Sequence, residues 1–278
     1  MTYPVVDSPY GLQPQNLIGG QVFAGSTRSL PIAYNTSTNI FYGDLVVLSR
    51  GFITRAAIGA TTAVNSVTGV FLGCSFTNPV TKQKQFSQFY PASTLAGDIM
   101  AIVADDPDQV FKAVVCSATT VVASGAVAMV GTNLSGIDNS GGNTTSGNST
   151  NAILAPTATP VSTILPFRCV GVVPDTAIAL GTATFSSIST ATITTTANVP
   201  FAIPVGTDVA WLAPNGSLVQ TGSFVVTAVV ANNTTSVVMN AAPTQTIGAS
   251  STLVFTKYQE ILVKINLLTH GYYSSATA

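Results

Sequence analysis

The chain has 278 residues, of which 46% are hydrophobic and only 7% charged, where soluble domains average about 25% charged. A net charge of −1 leaves no basic excess to neutralise phosphates, which argues against a nucleic-acid partner. The length supports one large β domain or two smaller ones, and a polar, almost uncharged surface suits a protein held in an assembly better than one kept apart by self-repulsion.

The start, Met1-Thr2-Tyr3-Pro4, has neither a basic region nor an apolar run, so no signal peptide is expected. Residues 1–30 are rich in Pro, Gly, Gln and Asn and show little alternation. They read as an extended arm held by something other than its own hydrogen bonds. Tyr10, Leu12, Leu17, Ile18, Val22 and Phe23 are more apolar than a free tail requires.

From Ile40 the pattern turns strand-like. Ile40 to Leu48 carries a turn at Gly43-Asp44, and Ser49-Arg50-Gly51 reverses the chain before Phe52 to Arg55, which predicts a hairpin. Further strands are expected over Val67 to Phe76, Phe86 to Tyr90 and Ile99 to Val103. Asp105-Asp106-Pro107-Asp108 suits a helix start and could open one helical turn through Val110 and Phe111. The apolar stretch from Val110 to Val130 holds Lys112, Gly125 and repeated Ser and Thr, so it reads as strands rather than a membrane span.

Residues 131–160 form a low-complexity segment, expected as an exposed, mobile loop. Phe167 to Val173 reads as a strand whose natural partner is the last one, Glu260 to Asn266. The intervening eighty or so residues are too many for a loop and carry strand and turn signals of their own. The expected organisation is an arm (1–30), a main β domain (31–177 plus 257–278) and an inserted β domain (178–256). The fold class is all-β, with a sandwich- or barrel-like body. No stretch shows the spacing of a long amphipathic helix.

Chemistry is sparse. The chain has one His, His270, and one Glu, Glu260. No nucleophile elbow accompanies His270, which reads as an ordinary surface or interface residue, and no enzyme is expected. Cys74, Cys116 and Cys169 are widely spaced and odd in number, the pattern of buried thiols rather than disulfides or zinc ligands. Asp105, Asp106 and Asp108 have oxygens close enough for a hard cation, although a capped turn accounts for them more simply. Lys82 and Lys84 would share a face on a strand. Trp211, the only Trp, sits in an alternating context that places it in a core. No cofactor is implied.

Three stretches together carry a resemblance. They are Pro9-Tyr10-Gly11-Leu12-Gln13-Pro14 followed by Gly25-Ser26-Thr27-Arg28; Asn39-Ile40-Phe41-Tyr42-Gly43-Asp44; and Gly69 to Cys74 with Thr81 to Pro91 and Val103 to Pro107. They resemble a group of virion proteins of tailed phages, cyanophages included, that look like capsid decoration (cement) proteins. The resemblance spans residues 9–115 well and the strands after Arg168 loosely. It implies a place on the outer capsid surface after assembly in the host cytoplasm, the major capsid protein as partner, and a homo-oligomer, trimers being favoured. Neither a nucleic-acid nor a membrane partner is implied. In this reading the arm clasps shell subunits through Tyr10, Leu12, Leu17, Ile18, Phe23 and Arg28. The inserted domain would project outward, with host glycan contact as one role. The alternatives are a tail, fibre or collar component, or a carbohydrate-binding adhesin. The major shell protein ranks lower for want of a long helix, and an enzyme lower still.

Overall fold

The computed structural model describes residues 6–57, 67–117, 120–122, 125–138, 141–155, 165–203, 206–214, 224–227, 230–231, 233–242, 247–248 and 250–273. It is all-β, and its only helical elements among these residues are two single 3-10 turns. In chain order the first strands are β1 (Gln13–Leu17), β2 (Arg28–Pro31), β3 (Leu45–Ser49), β4 (Phe52–Arg55), β5 (Val67–Thr77), β6 (Lys84–Ser87) and β7 (Met100–Ala104). Next come β8 (Gln109–Ser117), β9 (Thr120–Val121), β10 (Asn133–Leu134), β11 (Gly136–Ile137), β12 (Ala152–Leu154) and β13 (Phe167–Val172). Then follow β14 (Ala177–Ser189), β15 (Thr192–Val199), β16 (Asp208–Leu212), β17 (Phe224–Val225), β18 (Thr234–Val238), β19 (Thr252–Tyr258) and β20 (Glu260–Ile265).

Two compact units emerge. The larger takes Val6–Val122, Gly131–Val170 and the chain from Glu260 onward; the smaller takes Ala123–Val130 and Gly171–Gln259.

The larger unit is built on two sheets. One runs β10-β13-β20-β8-β12-β11, with β1 and β9 also paired to β8. Its end strands β10 and β11 are consecutive in the chain, separated only by Ser135, so the sheet bends into an almost closed ring. Alternation along β20 explains the inside: Ile261, Val263 and Ile265 are buried with Phe111, Ala113 and Val115 of β8. The predicted pairing of the strand after Pro166 with the last strand is found, as β13 beside β20.

The second sheet runs β2-β7-β5-β3-β4, with β6 on β5. Its core gathers Ile40, Val46, Ile53, Phe71, Tyr90 and Val103. The predicted hairpin is β3–β4, turned by Arg50 (φ 51) and Gly51 (φ 87), two left-handed residues whose twist matches that of the strands.

The smaller unit is one sheet, β17-β16-β19-β14-β15-β18. Thr182 to Thr196, which alternates throughout, is folded as the β14–β15 hairpin with its reversal at Thr190 (φ 56). Trp211 is fully buried as expected, edge-on to Phe185 at 5.5 Å and to Phe224 at 6.2 Å. Leu218 to Gln220, which the sequence also reads as a strand after the Pro214-Asn215-Gly216 turn, lies outside the described residues.

Three expectations are corrected. The arm of residues 1–30 is held in part by the chain itself rather than by a partner: β1 pairs antiparallel with β8, and β2 with β7. Apolar Leu12 finds a site in the chain's own core, at 3% exposure. Residues 131–160 are not simply an exposed loop. Asn133 to Ile137 and Ala152 to Leu154 close the ring, and Ser149 and Asn151 are buried because each bonds the Asp44 carboxylate. Finally, Asp105 to Asp108 opens no helical turn. Asp106 accepts the backbone N–H of Asp108 at 2.9 Å and its carbonyl accepts that of Gln109 at 3.1 Å, which turns the chain directly into β8.

Candidate interaction surface

The residues that carry the resemblance meet one another. Gly11 and Gly43 cross so closely that a Cβ on Gly43 would lie 2.7 Å from the backbone N of Leu12, and one on Gly11 would lie 2.9 Å from the Cα of Gly43. The Leu12 N–H donates to the Gly43 carbonyl at 3.1 Å. Asp44, fully buried, accepts the Phe41 N–H at 2.8 Å, the Asn151 side-chain amide at 2.9 Å and the Ser149 hydroxyl, and its Oδ2 stands 3.2 Å from Arg55 Nε. Burial pushes its carboxyl up, while the Ser149 bond and the Arg55 charge pull it back. Gly69 of β5 packs against the backbone of Ala104 and Asp105. These motifs therefore build junctions within the body.

The six arm residues separate. Leu12 is buried. Tyr10 is half-buried: its hydroxyl donates to Glu260, and its ring lies 5.5 Å from Lys112 Nζ, which itself stands 3.4 Å from Glu260. Burial first, and the Glu260 carboxylate second, push the phenol far above its ordinary range. Arg28 pairs with Asp105, which also accepts the Tyr272 hydroxyl, and the guanidinium lies 5.2 Å from the Tyr272 ring centre. Leu17 and Phe23 are half-buried. Ile18 is 50% exposed. Of these six, Ile18 alone is a largely exposed apolar side chain, and Val22, four residues further on, is 74% exposed.

Ile18 lines a groove of about 310 Å³ together with Arg168, Val170, Lys264, Asn266 and Leu267. Arg168 and Val170 alternate on β13, and Lys264 begins the same alternation on β20, so both strands present one face here. Lys264 reaches Asp108 at 3.3 Å. Leu267 is 40% exposed, and after it in the chain Leu268 (62%) and Tyr273 (63%) are exposed as well. Sequence reasoning missed this C-terminal contribution. Its signal was present in Leu267-Leu268 and Tyr272-Tyr273, two apolar or aromatic pairs that follow the last strand. A second groove, of about 390 Å³, runs beneath the largely exposed Phe86 of edge strand β6, with Tyr42, Leu72 and Gln88 on its walls.

The three aspartates do not converge. Asp105 is committed to Arg28 and Tyr272, Asp106 to its own turn and Asp108 to Lys264. No group of three or more His, Cys, Asp or Glu with metal-binding geometry occurs among the described residues. Lys82 sits in a turn at φ 61 rather than on a strand with Lys84, which pairs with Asp98 at 3.1 Å.

His270 is corrected from surface to core. It is 0% exposed, its Nδ1 accepts the Tyr272 N–H at 3.3 Å and its Nε2 has no partner among the described residues. The chain is held there by Val67, whose N–H donates to Thr269 and whose carbonyl accepts from Gly271. Burial lowers its basicity, opposed by Asp105 and Asp106. The three cysteines are buried thiols. No helix among the described residues is long and apolar enough to cross a membrane. Comparison with protein-family models, curated sequences and solved structures finds no match.

Proposed function

We propose that this chain is a virion structural protein that decorates the outside of a tailed-phage capsid and stabilises contacts between major capsid subunits, acting as a homo-oligomer. The observation that carries this reading is the exposed apolar surface of Ile18, Val22, Leu267 and Leu268 on a chain with little surface charge. Exposed apolar side chains of this kind, Ile18 and Leu267 meeting in one groove, mark a protein–protein contact more readily than a small-molecule site. The resemblance of residues 9–115 to decoration proteins supplies the kind of partner. Rigid β sheets with contact residues at their margin suit a protein whose work is adhesion repeated over a closed shell.

Quantitative mass spectrometry of purified virions tests the reading. A ratio to the major shell subunit near one, or a simple fraction matching the local threefold positions, is expected. A few copies per particle would overturn cementing and assign the protein to the tail or collar.

A further inference from the structure

Residues 6–17 occupy a slot that the rest of the larger unit cannot leave empty. β1 lies antiparallel on β8, with Gln13 opposite Lys112 and Pro14 opposite Phe111. Ahead of it, Val6 and Tyr10 pack on Val114, Cys116 and Ala152. The Gly11 N–H donates to the Asn151 carbonyl at 3.2 Å and the Gln109 amide to the Gln15 carbonyl at 2.8 Å. Removing the segment would bare the Glu260 carboxylate, now 4% exposed, and the free edge of β8. An unpaired strand edge recruits whatever strand is available.

The connection to the body is of the opposite character. From Ile18 to Ser29 every residue except Phe23 is exposed. After the turn in which the Leu17 N–H donates to the Gln21 carbonyl, residues 22–27 make no hydrogen bond to the described residues. Gly20 (φ 79) and Gly25 (φ 78) give it left-handed joints, and a Cβ on either would meet nothing within 4 Å. The tie spans residues 18–27, a reach of roughly 33 Å when extended.

We propose that the segment Val6–Leu17 is exchanged between copies of this chain, so that each β8 edge in the oligomer is filled by β1 of a second copy. Every contact in the slot is the same whether its strand comes from the same chain or a neighbour. The exchange therefore costs little beyond reorienting the hinge, and high local concentration favours it. The partner is specified by the slot: a strand that places a Tyr hydroxyl on Glu260 and a Leu in the site of Leu12. The inference stands whatever surface the oligomer coats.

The test uses the facing pair Gln13 and Lys112 in the full-length chain. Chains carrying Gln13→Cys alone and Lys112→Cys alone are co-expressed, purified and oxidised. A disulfide-linked two-chain species joining the two variants is expected, and its peptide map should show the 13–112 bond. A mixture of folded chains that forms no such bond, while the doubly substituted chain closes its bond within each molecule, overturns the proposal. A measurement that leaves Lys112 unchanged guards against loss of folding there. Deleting Val22–Ala24 shortens the hinge and should enlarge the exchanged species in sedimentation. A deletion variant that is folded and monomeric at every concentration also overturns it.

Discussion

At the scale of single residues, the body is specified by close backbone approaches and by one buried charge network. Gly69 has ordinary strand geometry, so its identity is set by space: a Cβ there would lie 2.3 Å from the Ala104 carbonyl oxygen. The obstruction is backbone of a neighbouring strand and has no rotamer to change. Gly69→Ala is therefore expected to cost about 2–3 kcal/mol, read as a lowered urea midpoint with unchanged m. An unchanged midpoint would mean that β5 and β7 separate freely at that point. Asp44 shows the other kind of specification. Its neighbours in sequence, Tyr42 and Gly43, give no hint that Ser149 and Asn151 will supply its bonds from more than a hundred residues away. That is why the polar segment 131–160 read as solvent-exposed: polar residues that satisfy a buried carboxylate look the same in sequence as polar residues facing water.

At the scale of elements, turns were the most legible feature and strand partners the least. Ser49-Arg50-Gly51 announced its hairpin because residues that tolerate positive φ cluster where chains reverse. Arg50 is nonetheless a poor occupant of a left-handed position. Arg50→Asn should stabilise the fold by about 0.5–1 kcal/mol, checked by thermal unfolding. A loss of stability would show that the exposed Arg50 side chain has a contact worth more than the strain. The arm was misread for the same reason that β1 exists. Gln13 to Leu17 lacks alternation because it lies at a sheet margin with both faces partly wet, and only its partner β8 makes it a strand. Of the arm residues, Ile18 retains a surface role, together with Leu267. If the proposed capsid role holds, replacing both by Asp weakens binding to the shell by roughly tenfold or more while leaving the unfolding temperature almost unchanged, since neither is buried. Equal binding by the double variant would move the contact elsewhere, the Phe86 groove being next.

At the scale of the whole molecule, the few ionisable groups that are buried set the pH range of stability, and their signs can be worked through. Burial pushes Cys74 up to about 12 and Cys116 up to about 11, from an ordinary 9.0. Above pH 9 the unfolded chain releases these two protons and the folded chain keeps them, so stability falls as pH rises. Tyr10, raised by burial and by Glu260, adds to the fall once the pH passes 10. Lys257 acts oppositely. It is 2% exposed, and burial lowers it from 10.5 to about 8 against the pull of Asp208. Between these values the unfolded chain holds the extra proton, so stability rises with pH and cancels one of the two cysteine protons. On the acid side His270, lowered below 6.5 by burial, is protonated first in the unfolded chain, and stability falls as pH drops through 6.5. Asp44 and Asp208, both raised by burial, carry the opposite sign and slow that decline at lower pH. The denaturation midpoint should therefore peak between about pH 6.5 and 9. At neutral pH Lys257→Met removes both the burial penalty on the ammonium and the positive charge that Asp208 faces, two effects of opposite sign, so the slope of the pH profile is the informative reading. The substitution should steepen the fall between pH 9 and 10.5 by one proton, about 1.4 kcal/mol per pH unit. Parallel profiles for the two proteins would mean that Lys257 keeps its water in the folded state.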